Sequence, residues 1–160
     1  MSLGIIIVGA LGRMGREIAE IVSADGGCFL RGALEGEHHP MLGTDYGTCI
    51  GKGTLGVAVK SSLGSVDCTD SVAIDFSSPK SLKNLLPAAA EKKLPLVIGT
   101  TGLTSEDTDF IRSFSPAIPI LVSPNMSLGV NLLFAITISE SYRFNPHFSI
   151  CDFNFHLNIP

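Results

Sequence analysis

Three glycines, Gly9, Gly12 and Gly15, recur at intervals of three directly behind the apolar run Ile5-Ile6-Ile7-Val8. A strand that ends in such a turn and then opens a helix can bring its backbone close to a pyrophosphate. Gly9 would leave the strand in a conformation that a Cβ obstructs. Gly12 would let the backbone approach the phosphates, and Gly15 would let the helix pack tightly on the strand. The helix start then directs free N–H groups and its positive dipole end at the anion. A second apolar stretch, Cys28-Phe29-Leu30 to Ala33-Leu34, ends at Glu35, 20 residues after Gly15. An acid there is placed to bond ribose hydroxyls. Read alone, it is also what a solvated loop acid looks like.

The spacing differs from the commoner G-x-G-x-x-G, because Leu11 stands where the middle glycine is expected. A G-x-x-G-x-x-G string is weak evidence in a chain with 17 glycines; the order strand, turn, helix, strand, acid is what gives it meaning. Glu35 is followed by Gly36 and Glu37 rather than by an Arg suited to a 2′-phosphate. Arg13, His38 and His39 could offset those carboxylates, so the expectation is NADH or NADPH, with NADH favoured.

The elements that must position these residues alternate. Strands are expected near 3–8, 28–34, 56–60, 71–76, 95–98 and 118–122, and helices near 13–24, 79–92, 104–114 and 127–141. Met14, Ile18, Ile21 and Val22 define the expected buried stripe of the first helix. Pro79 is placed for a first helical turn, and Thr104 with Asp107 forms a capping box closed by a short acid. Alternation of this kind predicts an α/β fold, a doubly wound parallel sheet with helices on both faces. The span from Gly36 to Thr54 reads as a long loop over the cofactor edge or a mobile flap. Three loops follow strands: Asp75-Phe76-Ser77, Gly99-Thr100-Thr101-Gly102 and Ser123-Pro124-Asn125-Met126-Ser127. Singly each could be ordinary turn chemistry. Together at one sheet edge, they offer hydroxyl and N–H groups to a carboxamide or a carboxylate.

Composition removes several function classes. The formal net charge of −4 provides no basic field for nucleic acid. The apolar fraction of 45% against 16% charged residues indicates ample core and no disordered class. Cys28, Cys49, Cys68 and Cys151 lie far apart without metal-ligand spacing, and read as thiols in a reducing compartment. The first residues look like a structural strand rather than a signal peptide, and no apolar run reaches the ~18 residues of a membrane span. The expected location is cytoplasmic.

The strings Gly-Ala-Leu-Gly-Arg-Met-Gly-Arg, Ala-Leu-Glu, Ile-Asp-Phe-Ser-Ser-Pro, Val-Ile-Gly-Thr-Thr-Gly and Ser-Pro-Asn-Met-Ser-Leu-Gly-Val-Asn occur in that order. Together they resemble the dihydrodipicolinate (4-hydroxy-tetrahydrodipicolinate) reductases of bacterial lysine and diaminopimelate synthesis. The resemblance runs from about residue 4 to 141. It implies a Rossmann-like dinucleotide-binding domain at 1–126. From 127–160 it implies the first helix and strand of an incomplete α+β domain for substrate binding and tetramerisation. It implies hydride transfer from NAD(P)H to a cyclic unsaturated dicarboxylate. By motif, Gly9, Gly12, Arg13, Met14 and Gly15 cradle the cofactor and Glu35 holds its ribose. Phe76, Gly99 and Thr101 lie on the nicotinamide side, with Ser123 and Met126 contributing from the last loop. Thr100 meets a substrate carboxylate.

The chain departs from the family after about residue 145. The family signature Glu-x-His-His-x-x-Lys-x-Asp-x-Pro-Ser-Gly-Thr is not carried; His156 falls near its first histidine, but Leu157 follows and no Pro-Ser-Gly-Thr is present. His156 is therefore either a remnant general acid or a tail histidine. The sequence accordingly reads as C-terminally truncated or divergent there, binding cofactor but turning over poorly. The alternative is a non-catalytic NAD(P)-binding module or a decayed enzyme. Val130, Leu132, Leu133, Phe134, Ala135, Ile136 and Ile138 make the helix at 127–141 apolar on nearly every side. Self-association through 127–155 is the expected result.

Overall fold

The computed structural model describes residues 2–123, Met126 and the backbone of 156–158. The chain runs β1 (Leu3–Val8), α1 (Arg13–Ala24), β2 (Cys28–Leu34), α2 (Tyr46–Cys49), β3 (Val59–Lys60), β4 (Ser71–Asp75), α3 (Pro79–Glu91), β5 (Leu96–Ile98), α4 (Ser105–Ser113), β6 (Ile120–Val122) and β7 (His156–Asn158). These strands form one sheet in the order β3-β2-β1-β4-β5-β6-β7. The first six are parallel to their neighbours, and β7 lies antiparallel on β6 with Val122 opposite His156. The order reverses at β1, with β2 on one side and β4 on the other. The carboxyl ends of β1 and β4 therefore flank the crevice where a sheet of this winding takes a ligand. The predicted doubly wound, Rossmann-like parallel sheet is what the chain forms.

Strand β1 is central because every residue from Gly4 to Val8 is buried. Its side chains alternate between two cores, as a pleated strand requires. Ile5 and Ile7 join Ala19 and Val22 of α1, together with Ala33, Tyr46 and Val59. Ile6 and Val8 join Leu82, Leu85, Leu86 and Ala89 of α3 and Ile111 of α4. Each fully buried Ile or Leu contributes about 1.5–3 kcal/mol relative to remaining in water. Ile6→Ala, which would open a hole between α3 and the sheet, would therefore cost about 2–5 kcal/mol.

Helix ends follow the sequence signals. Thr104 caps α4: its hydroxyl accepts from Asp107 N–H at 3.1 Å, and Asp107 Oδ2 accepts from Thr104 N–H at 3.0 Å. Pro79 opens α3 behind Ser78, and Ser81 Oγ accepts from Ser78 N–H at 3.2 Å.

Three expectations are corrected. The buried stripe of α1 is Gly15, Ala19 and Val22, whereas Met14 and Ile21 are exposed. Small residues let the helix axis come close to the sheet, and this rotates the larger apolar side chains outward. The span 36–54 is more than a loop. It turns back, forms α2, and is tied down by a bridge between Asp45 and Ala58. Tyr46 is fully buried within it. The strand expected at 56–60 is shorter, Val59–Lys60, because Gly56 takes a positive φ of 74°. The helix expected at 127–141 and the rest of the span 127–155 expected to self-associate lie outside the described residues.

Candidate functional site

The glycine turn is built from main-chain constraints. Gly9 has φ +76°, and a Cβ there would stand 2.7 Å from Phe76 O. The N–H groups of Gly9 and Ala10 both donate to Leu34 O, at 3.0 and 3.1 Å, so the turn is stitched to the end of β2. A Cβ on Gly15 would meet the Ala10 carbonyl oxygen at 2.5 Å, which is where α1 crosses the turn. Gly12 differs: its missing Cβ would touch only Gly9 O, at 3.2 Å, and otherwise faces open space. Gly12 is also the N-cap of α1, with no side-chain cap, and no acid lies in the first helical turn. Uncapped N–H groups and an open approach suit a diphosphate. Arg13 and Met14, the next two residues, are exposed beside that opening.

Leu11 occupies the middle position without strain. Its half-buried side chain packs on the core that holds Ile7, Ala19 and Tyr46. Its N–H donates to Glu35 Oε1 at 2.6 Å, and Glu35 Oε2 accepts from Gly36 N–H at 3.3 Å. Glu35 thus stands at the tip of β2 against the turn, with its remaining acceptor capacity available to hydroxyl donors.

Two residues that the sequence reading passed over hold the turn from behind. The Tyr46 hydroxyl donates to a pair of carbonyls, Ala10 O at 2.7 Å and Gly15 O at 3.1 Å. Burial pushes the Tyr46 phenol up to about 12, with Glu35 adding to and Arg16 opposing the shift, so it remains a protonated donor. Arg16 donates through Nε to Leu11 O at 3.0 Å and through Nη1 to Cys49 O at 3.1 Å. Tyr46 and Cys49 belong to α2, whose N-cap Asp45 accepts from Thr48, Leu55 and Gly56 N–H at 3.1, 3.0 and 2.7 Å. These bonds, led by that from Leu55, hold the Asp45 carboxyl below the usual aspartate range. The local signal was present as an Asp directly before Tyr-Gly-Thr, but a four-residue helix carries no periodicity to reveal it.

Across the crevice, Phe76 connects both halves. Its carbonyl covers Gly9, and its ring lies on Gly99 so closely that any Cβ on Gly99 would strike it. Asp75, the last residue of β4, is fully buried. Its carboxylate accepts from the Ser77 hydroxyl and, at 2.6 Å, from the Thr100 hydroxyl, whose oxygen in turn accepts from Ser77 N–H at 3.1 Å. Burial pushes the Asp75 carboxyl above its usual range, against these hydrogen bonds, which favour the charged form. Thr100, expected to face substrate, is 3% exposed, and its hydroxyl belongs to this network. Thr101 and Gly102 are exposed, Gly102 with φ +76°. Ser123 is buried behind β6, its N–H donating to Ile98 O at 2.9 Å, and Met126 is exposed. The backbone of His156 lies opposite Val122, one residue before Ser123, so β7 brings it to the same sheet edge.

The expected residues therefore stand at the carboxyl ends of neighbouring parallel strands. Gly9, Gly12, Arg13, Met14, Gly15 and Glu35 come from β1, α1 and β2. Phe76, Gly99, Thr100, Thr101 and Ser123 come from β4, β5 and β6. Among the described residues no group of His, Cys, Asp or Glu could hold a metal ion, and no helix is long and apolar enough to cross a membrane. Cys28, Cys49 and Cys68 are free thiols.

Comparison with known proteins agrees with this architecture. The family model for the N-terminus of dihydrodipicolinate reductase matches residues 3–126. The 4-hydroxy-tetrahydrodipicolinate reductase of Geobacter metallireducens is 44% identical over 133 residues, which is 82% of this chain and 49% of that protein. The reductase of Syntrophus aciditrophicus is 38% identical over 131 residues, with the same shares. A dihydrodipicolinate reductase from Paenisporosarcina sp. TG-14, solved with dipicolinate bound, superposes with a TM-score of 0.67 at 22% identity. The match covers 91% of this chain and 56% of that one. The chain spans about half the length of the curated relatives it matches. With its glycine turn, its switch-point crevice and a family match over residues 3–126, the chain belongs to the dihydrodipicolinate reductase family, whose N-terminal region it carries.

Proposed function

We propose that this chain binds NADH or NADPH in the β1–β4 crevice and forms the cofactor half of a 4-hydroxy-tetrahydrodipicolinate reductase. The observation that carries this reading is the uncapped start of α1 behind Gly12, with Glu35 2.6 Å from the Leu11 N–H. A bound nicotinamide would supply hydride, and the protein's part is to orient and shield it. Gly9, Gly12, Arg13, Met14 and Gly15 hold the diphosphate, with the Arg13 charge beside it. Glu35 accepts from the adenosine ribose. Phe76 and Gly99 form the wall for the nicotinamide ring, and Thr101, Ser123 and Met126 line its approach.

Thr100 contributes through its backbone and its neighbour Thr101, since its own hydroxyl serves Asp75. A dicarboxylate substrate would meet this loop from the solvent side, with residues 127–160 beginning the domain that covers it. NADH is the preferred cofactor. The tip of β2 presents Glu35, Gly36 and Glu37; His39 Nδ1 accepts from Met41 N–H, and Arg16 is held by Leu11 and Cys49. No arginine follows Glu35 at the tip of β2 to receive a 2′-phosphate, and Arg13 lies on the diphosphate side.

A second reading has its own support. Leu157 follows His156 where the resembled signature has a second histidine, which favours a binding module without turnover. Calorimetric titration with NADH, NADPH and NAD⁺ tests the cofactor claim. Following NADH absorbance with the dicarboxylate substrate separates the two readings: turnover at an ordinary rate would refute the binding-module reading. Self-association through 127–155 predicts dimers or larger species in sedimentation, and a clean monomer at high concentration would refute it.

A further inference from the structure

A peptide unit carries its C=O and the following N–H in one plane, so holding either end fixes the other. The Ala10–Leu11 unit is held at both: Tyr46 donates to Ala10 O at 2.7 Å, and Leu11 N–H donates to Glu35 at 2.6 Å. The next unit, Leu11–Gly12, is also held at both: Arg16 donates to Leu11 O, and Gly12 N–H donates to Gly9 O at 3.1 Å. Tyr46 then reaches past the turn to Gly15 O, inside the first turn of α1. A single buried hydroxyl therefore joins the start of the turn to the helix whose N–H groups would receive the phosphates. Tyr46 is fully buried, and a Cβ on the adjacent Gly47 would collide with Leu55 and with Gly53 O.

We infer that Tyr46 is a positioning residue for the dinucleotide: through Ala10 and Gly15 it sets the direction of the turn's N–H groups and the resting place of Glu35. This inference rests on the cofactor reading above and adds a function to the segment 36–54. That segment is part of the binding apparatus, although it need not touch the ligand. Arg16 is the second strut, because its bonds to Leu11 O and Cys49 O tie α2 to the turn.

The test is Tyr46→Phe, which removes the hydroxyl and keeps the ring in the core. The control is Val59→Ala, which loosens the same apolar cluster without touching the turn. Both variants should melt below the parent. NADH dissociation constants are then measured for all three. A rise of about 10-fold for Tyr46→Phe, with Val59→Ala within about 2-fold of the parent, is the expected result. Hydrogen exchange at the Leu11 amide in the ligand-free protein should accelerate in Tyr46→Phe and not in Val59→Ala. Equal affinity in parent and Tyr46→Phe would overturn the inference while leaving the cofactor reading intact. A parent that takes no NADH would overturn both. If Tyr46→Phe fails to fold, Arg16→Lys gives the same readings, since a lysine cannot bond Leu11 O and Cys49 O together.

Discussion

The Asp75 carboxylate and the Thr100 hydroxyl meet at 2.6 Å where two neighbouring parallel strands, β4 and β5, end. The Asp75 carboxylate also takes the Ser77 hydroxyl, so one buried acid organises two of the three loops that close the crevice. Burial raises the Asp75 carboxyl above its usual range. Between the ordinary aspartate value, about 3.9, and the raised one, the folded chain holds more protons than the unfolded chain. The contribution of Asp75 to stability is therefore complete below that window and declines as pH rises through it. Asp75→Asn has no such slope. Urea titrations at several pH values should show the parent losing ground to the variant as pH rises from about 4, and parallel pH profiles would contradict this.

Thr100→Val removes the hydroxyl at nearly constant volume. It leaves Asp75 Oδ2 and Ser77 N–H without their common partner. An unsatisfied buried polar group costs about 1–3 kcal/mol. Chemical denaturation should show a loss of this size, and a neutral result would mean that the network is dispensable.

Gly15→Ala and Gly12→Ala should separate packing from binding. The added methyl at Gly15 meets the Ala10 backbone at 2.5 Å, and overpacking of this kind costs about 1–3 kcal/mol. At Gly12 it meets only Gly9 O at 3.2 Å, so stability should change little. NADH affinity should fall for both, because the Gly12 methyl projects into the approach that the diphosphate needs. Unchanged affinity in a stable Gly12→Ala protein would contradict the assignment.

Acid should loosen the α2 brace. Backbone donors, led by Leu55 N–H, hold the Asp45 carboxyl low. Its contribution is present above the unfolded value and is lost as pH falls through the folded one. Asp45→Asn should therefore differ from the parent at neutral pH and converge on it in acid. Near-ultraviolet circular dichroism, which includes the Tyr46 signal, reads the change. A constant difference at all pH values would contradict it.

How much of this was legible in the sequence depended on the range of the signal. The strand Ile5 to Val8, the turn glycines and the Thr104 capping box announce themselves within a few residues, and each forms as expected. The stripe of α1 misled because Gly15 and Ala19 count as weakly apolar, yet they define its contact with the sheet. Tyr46 was invisible because its value lies in two carbonyls 36 and 31 residues away. The resemblance gives Thr100 a substrate carboxylate; the fold adds that Asp75 takes its hydroxyl. Gly99 was assigned to the cofactor side, and the structure adds that it makes room for the Phe76 ring.

The central claim is that a diphosphate rests where α1 begins. Amide chemical shifts recorded while NADH is added to the ¹⁵N-labelled chain test it most directly. The account predicts that the largest changes fall on Gly12, Arg13, Met14 and Gly15, with a second group at Glu35 and Gly36. Saturation with those amides unmoved, or no change anywhere at millimolar NADH, would contradict it.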